Sequence, residues 1–133
     1  MTTITKERPP GLNDPGIGKE VALHVEDIER LKIAKKEKEN LTEEERKQAG
    51  FDCIITKHGM CGFAGSGCHD YILNTNAHKN HTVTINTNWR QGIKDGFYTD
   101  TYQVPAGGKV FLGCTRSGQI PVMEYHRSIV GEV

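Results

Sequence analysis

The stretch TVTINTNW, Thr82–Trp89, is the feature that most restricts the fold, because its side chains alternate with a period of two. Val83, Ile85, Thr87 and Trp89 fall on one side, and a threonine and two asparagines fall on the other. Such alternation is typical of a strand in a sheet that has one dry face and one wet face. A dry face must be covered by a second layer, so the rest of the chain has to supply that layer.

Five further segments have strand character and are separated by turn-forming sequences such as PAGG and RSGQIP. Six short strands at regular spacing favour a small antiparallel β-sandwich or barrel over residues 51–133. The strands and turns in TVTINTNW, TDTYQVPAGGKVFLGC and MEYHRSIVGE are placed in a way that resembles small immunoglobulin-like or fibronectin-like modules. The five additional predicted strands are Asp52–Lys57, Asp70–Asn76, Phe97–Val104, Lys109–Thr115 and Val122–Val130.

The first 50 residues differ in composition, since they carry 21 of the 34 charged side chains in the chain. Residues 1–20 contain several prolines and glycines and no hydrophobic period, which predicts an extended or disordered arm. Residues 21–50 are a charged helical segment, with apolar residues at helical spacing over Val25–Glu39. Thr42, followed by three glutamates, has the form of a capping box for a second, shorter helix. The chain is therefore expected to be mainly β, or α+β overall.

The 17 basic and 17 acidic residues balance, so the chain lacks the positive field that attracts nucleic acid or anionic lipid. No apolar run approaches the roughly 20 residues that cross a bilayer, and the first residues do not resemble a signal peptide. We therefore expect a cytoplasmic protein with no nucleic-acid or membrane partner. Secretion by a non-standard route and incorporation into a virion stay open as alternatives.

The segment HGMCGFAGSGCHDY, residues 58–71, concentrates two cysteines and two histidines in a glycine-rich loop. Cysteine and histidine are the side chains that zinc prefers, and glycines let a backbone wrap closely around an ion. The predicted ligands of a zinc site, structural or catalytic, are His58, Cys61, Cys68 and His69. If no metal is bound, the protein has no cofactor.

Other states of the cysteines compete with zinc, and the simplest of them is reduced cysteines in a structured loop. Cys61 and Cys68 would close a small disulfide loop in an oxidising compartment. A reactive Cys68 would need a nearby base, but His69 follows it directly and neighbours along a strand point to opposite faces. Cys53 and Cys114 fall in predicted strands, where a buried thiol usually serves as a small apolar side chain.

The sequence favours a non-enzymatic structural or interaction module, because the predicted β region has no paired carboxylates and no complete catalytic motif. An arm and an amphipathic helix on a compact β-domain suit assembly with another copy or a larger complex. A zinc-binding protein is the first alternative. The second is a secreted or virion-borne module with disulfides that binds a ligand on the asparagine and threonine face of the sheet.

Overall fold

The structure, a computed structural model, describes residues 14–48, 50–118 and 121–133. In these ranges the two helices and six strands that the sequence predicts are present, with strand bounds that differ by up to four residues, and two short strands are added. The helices are α1 (Val25–Glu39) and α2 (Glu43–Gln48). The strands are β1 (Glu20–Val21), β2 (Cys53–Cys61), β3 (Gly67–Asn74), β4 (His81–Gln91), β5 (Lys94–Val104), β6 (Lys109–Cys114), β7 (Arg116–Ser117) and β8 (Met123–Glu132).

The strands form two antiparallel sheets, in the orders β1-β6-β3-β2 and β5-β4-β8-β7. Among the six long strands, the first, second and fifth share one sheet, and the third, fourth and sixth share the other. Immunoglobulin-type sandwiches have the same pairing: their strands A, B and E lie side by side in one sheet, and their strands C′, C and F lie side by side in the other. The predicted antiparallel sandwich is confirmed, and the chain forms two sheets in place of the alternative barrel.

The dry face predicted for Thr82–Trp89 points into the space between the sheets. Val83 and Ile85 are fully buried against Ile72 and Val110 of the other sheet. Farther along β4, Trp89 packs in a second cluster with two tyrosines and a methionine from the same sheet. The period-two pattern therefore predicted the inward side chains of this strand correctly.

Helix α1 forms a third layer on the sheet that contains β6. Val110 points into the sandwich, so its neighbour Lys109 points to the opposite face of that sheet. There the Lys109 ammonium donates to Asp27 of α1 at 2.6 Å, and both side chains are at most 1% exposed. Asp27 also accepts the backbone N–H of His24 at 2.8 Å, which caps the start of the helix. One buried carboxylate thus caps the helix and anchors it to the sheet.

The structure confirms the predicted range of α1 and the predicted capping of α2. α1 spans the predicted range Val25–Glu39. The N–H of Glu45 donates to the Thr42 hydroxyl at 3.2 Å, and that hydroxyl donates to the Glu45 carboxylate at 3.0 Å. No helix in the described ranges is long and apolar enough to cross a membrane.

The part of the predicted arm that is described, residues 14–20, lies along the edge of a sheet. Gly18 donates its N–H to the carbonyl of Phe111 at 2.8 Å, and Phe111 donates to the carbonyl of Lys19 at 3.0 Å. β1 then pairs with β6 and becomes the edge strand of its sheet. Residues 1–13 of the arm lie outside the described residues.

Candidate functional site

The segment 58–71, expected to be a loop, is mostly strand: His58 and Cys61 lie in β2, Cys68 and His69 lie in β3, and residues 62–66 connect the two strands. Its disulfide also differs from the one considered for the sequence. Cys61 is bonded to Cys114, with their Cα atoms 6.0 Å apart. The alternative of a disulfide between Cys61 and Cys68 is therefore wrong, and so is the interpretation of Cys114 as a buried free thiol. Cys53 and Cys68 are free, and Cys53 is buried as predicted.

Strand pairing explains the change of partner. In the β2–β3 hairpin Cys61 lies opposite Gly67, and Cys68 lies opposite Met60. β6 runs along the other side of β3, which brings Cys114 to the same end of the sheet. Two cysteines can form a bridge only when their Cα atoms lie within about 7 Å, and that spacing is set by neighbouring strands and not by sequence distance.

The four predicted zinc ligands have different surroundings in the oxidised protein. His58 donates to the Glu26 carboxylate at 2.5 Å and stacks on His24, with ring centroids 3.5 Å apart. His69 packs edge-on against Phe111, and its buried Nδ1 has no hydrogen-bond partner among the described residues. The sulfur of Cys61 is not a thiolate in this form. Zinc binding by His58, Cys61, Cys68 and His69 therefore remains a prediction for the reduced protein.

A second cluster, formed by Asp52, His81 and Glu132, brings together one histidine and two carboxylates. Asp52 directly precedes β2, His81 begins β4, and Glu132 ends β8. The candidate ligand atoms, one from each residue, all lie within 4.8 Å of one another. Because β2 belongs to one sheet and the other two strands to the second, the cluster connects the two layers of the sandwich.

The Asp52 carboxylate is surrounded by donors. His81 Nε2 donates to its Oδ2 at 2.8 Å, Asn76 donates to the same oxygen at 3.1 Å, and the Lys38 ammonium donates to Oδ1. Burial alone raises the pKa of Asp52, but the donors from Lys38, Asn76 and His81 outweigh it and lower this pKa to about 2. Asp52 is therefore a carboxylate anion at neutral pH.

Glu132 and His81 are held by main-chain groups. The two oxygens of Glu132 accept the N–H groups of Asp52 at 3.0 Å and Cys53 at 2.8 Å. His81 is 5% exposed, and its Nδ1 lies 3.2 Å from the main-chain oxygen of Val133.

The free thiol of Cys53 lies next to this cluster. Burial, and after it the negative charge of Glu132, raises the pKa of the Cys53 thiol, which is therefore neutral and unreactive.

A cleft of about 750 Å³ opens beside Asp52, between α1 and the turns that follow β3 and β5. Its apolar wall includes Leu23, Ile28, Leu31 and Leu41, and lysines of α1 also line it. The volume lies in the range of known ligand pockets, and a wall of this kind suits an apolar side chain or segment.

The sequence did not predict this cluster. His81 was not among the predicted zinc ligands, and no pairing of Asp52 with Glu132 was expected. One signal was available, because His81 lies two residues before Val83 and so falls in the buried phase of the same alternation. The two carboxylates carry no such local signal, since 79 residues separate Glu132 from Cys53.

No family model, curated protein or solved structure matches this chain. Evidence for its function therefore comes from the geometry of the chain itself.

Proposed function

We propose that this protein is a non-enzymatic interaction module that self-associates through helix α1 and the cleft beside it. The supporting observation is that α1 is anchored through a charged residue, Asp27, while three of its apolar side chains, Val25, Ile28 and Ile33, are exposed. Val25 is 83% exposed and Ile28 is 46% exposed, and Ile28 also lines the cleft. A rigidly held helix with an exposed apolar side is typical of an interaction surface.

Charge complementarity supports a second copy of the chain as the partner. Lys32 and Lys35 line the cleft on α1, whereas the first turn of α2 presents the exposed acidic residues 43–45. A two-fold dimer would place the basic side of α1 in each copy against the acidic turn of α2 in the other. The equal numbers of basic and acidic residues prevent a net charge from opposing this association.

The arm contributes to the same interface in this proposal. Residues 14–20 of the arm run into β1, and α1 starts four residues after β1 ends, so residues 1–13 are attached near the helix in sequence. Deleting all residues up to 41 would not test their role, because that deletion removes Asp27 and leaves Lys109 buried without its partner. Deleting residues 1–13 alone keeps the ion pair.

Sedimentation velocity over a wide range of protein concentrations tests the proposal. We expect a monomer–dimer equilibrium that Ile28→Asp weakens by at least about tenfold, because the substitution places a charge in the apolar contact. Ile93→Asp is the matched control, since Ile93 is 94% exposed in the β4–β5 turn and far in sequence from α1. A monomer at every concentration would overturn the proposal, as would equal weakening by the two variants.

The disulfide supports an oxidising compartment in place of the cytoplasm expected from the sequence. Bridges such as Cys61–Cys114 persist outside the reducing cytosol, as in secreted or virion-borne proteins. In that case thiol titration of the unreduced, denatured protein detects two of its four cysteines. Four reactive thiols in protein isolated under non-reducing conditions from its native compartment would contradict this assignment.

A further inference from the structure

We propose that Asp52, His81 and Glu132 form a binding site for a divalent transition-metal ion, with zinc as the expected ion. The ligand atoms are Asp52 Oδ2, His81 Nε2 and Glu132 Oε1. Nε2 lies 2.8 Å from Oδ2 and 3.8 Å from Oε1. Around a tetrahedral zinc ion, ligand atoms are about 3.3 Å apart, so the two observed distances bracket the required spacing.

His81 has the environment of a metal-ligating histidine. Ligating histidines almost always donate their second ring N–H to a carboxylate or a main-chain carbonyl, which fixes the ring and its tautomer. Here Nδ1 lies 3.2 Å from the main-chain oxygen of Val133, and the side chain is nearly fully buried. When a metal ion takes the place of the Nε2 hydrogen, the ring keeps its hydrogen on Nδ1 and the Nε2 lone pair binds the ion.

The two carboxylates are oriented by donors that leave coordination capacity. Glu132 Oε1 accepts one N–H, from Asp52, and a carboxylate oxygen has a second lone pair. Asp52 Oδ2 accepts from Asn76, while the Lys38 ammonium contacts the other oxygen, Oδ1. A cation at the centre therefore displaces the contacts of His81 Nε2 with Asp52 and Glu132 and leaves the other donors to the two carboxylates in place.

The two carboxylates and the imidazole converge on one point. Nε2 of His81 faces both carboxylates, at 2.8 Å from Asp52 Oδ2 and 3.8 Å from Glu132 Oε1, so a metal ion that replaces the Nε2 hydrogen contacts all three side chains. Two carboxylate charges and one imidazole nitrogen are a ligand set suited to zinc and to neighbouring transition metals. Three protein ligands leave at least one coordination position for water or another ligand, and one of the three, Asp52, also lines the cleft described above.

The experiment uses the full chain with its disulfide intact, freed of metal by a chelator and titrated with zinc chloride in a calorimeter. We expect one equivalent of zinc to bind, and His81→Gln to weaken binding by more than about 100-fold, which exceeds the usual effect of losing an outer-shell partner. His126→Gln is the matched control, because His126 is an exposed histidine on β8. Circular dichroism verifies that each variant is folded.

Cobalt absorption on the unmodified protein provides a readout that does not depend on variants. A cobalt spectrum without thiolate charge-transfer bands, together with loss of zinc binding in His81→Gln, supports the proposed site. Three results would overturn it: no zinc binding, equal affinity in the two histidine variants, or thiolate bands, which would assign the metal to Cys53 or Cys68. If His81→Gln does not fold, Glu132→Gln takes its place in the same comparison.

Discussion

Replacing Lys109 by methionine tests how helix α1 is held on the sheet. The substitution removes the ammonium and keeps a flexible apolar side chain of similar length. Asp27 then remains at the helix–sheet contact as a buried carboxylate without its main cationic partner. Methionine can still pack on the ring of Tyr71, over which the ammonium now lies at 4.1 Å.

The expected loss of stability is about 3 kcal/mol. Removing one partner of a buried ion pair costs about 3–5 kcal/mol, because the other charge stays in a poorly solvated site. The lower end applies here, since Asp27 keeps the ion pair with Arg30 at 3.2 Å and the N–H of His24 at 2.8 Å. For a domain of this size the loss lowers the melting temperature by about 10 °C.

Urea denaturation followed by circular dichroism measures the effect, with the disulfide kept oxidised. Arg116→Met is the matched control, because Arg116 pairs with Glu124 at 3.3 Å on the exposed surface. An exposed pair contributes less than about 1 kcal/mol, so this variant should stay close to the unmodified protein. An unchanged slope of free energy against urea in both variants would show that the unfolded states are comparable.

The same pair predicts a pH dependence. Burial raises the pKa of Asp27, but the hydrogen bonds from Lys109 and from the His24 backbone outweigh it, so this pKa lies below its ordinary value of 3.8. A carboxylate whose pKa is lowered on folding stabilises the protein above its ordinary pKa, and this stability is lost as the pH falls through the folded value. The difference between unmodified protein and Lys109→Met should therefore shrink as the pH falls below about 4.

A loss below about 1 kcal/mol in Lys109→Met would refute the reasoning, because it would place the pair in the range of surface ion pairs. The double variant Asp27→Asn with Lys109→Met supplies a second check. It removes both charges and keeps an oxygen that can accept the His24 N–H, so we expect it to recover most of the stability lost in the single variant. No recovery would mean that packing, and not the unpaired charge, causes the loss.

Three more perturbations give defined outcomes. Cys61→Ala opens a disulfide that spans 53 residues, and urea denaturation should show a loss of about 4 kcal/mol. Gly62→Ala should lower the free energy of unfolding by at least about 2 kcal/mol in the same assay, because the φ of Gly62 is +79° and a Cβ would lie 2.6 Å from a β7 carbonyl oxygen. Gly107→Ala is the matched control and should lower it by only about 1 kcal/mol. The φ of Gly107 is +63°, but no atom lies within 4 Å of the position of a Cβ. In timed thiol labelling of the native protein, the half-buried Cys68 should react first and the buried Cys53 only after unfolding. Equal labelling rates for the two cysteines would contradict the buried position of Cys53.

The helix α1 shows how far a local pattern can be followed. Its bounds, Val25–Glu39, were predictable because helical spacing and capping act within a few residues. The side chains it buries were not, since Val25 and Ile28 were part of the predicted apolar stripe and are exposed, whereas Asp27 is fully buried. The partner of Asp27 is 82 residues away, so no local pattern identifies it.

The sequence by itself determined the six long strands, both helices and the inward face of β4, because each depends on hydrogen bonds or side-chain periods among near neighbours. Tertiary structure decided the disulfide partner of Cys61, the burial of His81 and its meeting with Asp52 and Glu132. These contacts depend on which strands lie side by side, and that order is fixed by the joint burial of the apolar faces of both sheets. No segment of the chain contains that information alone.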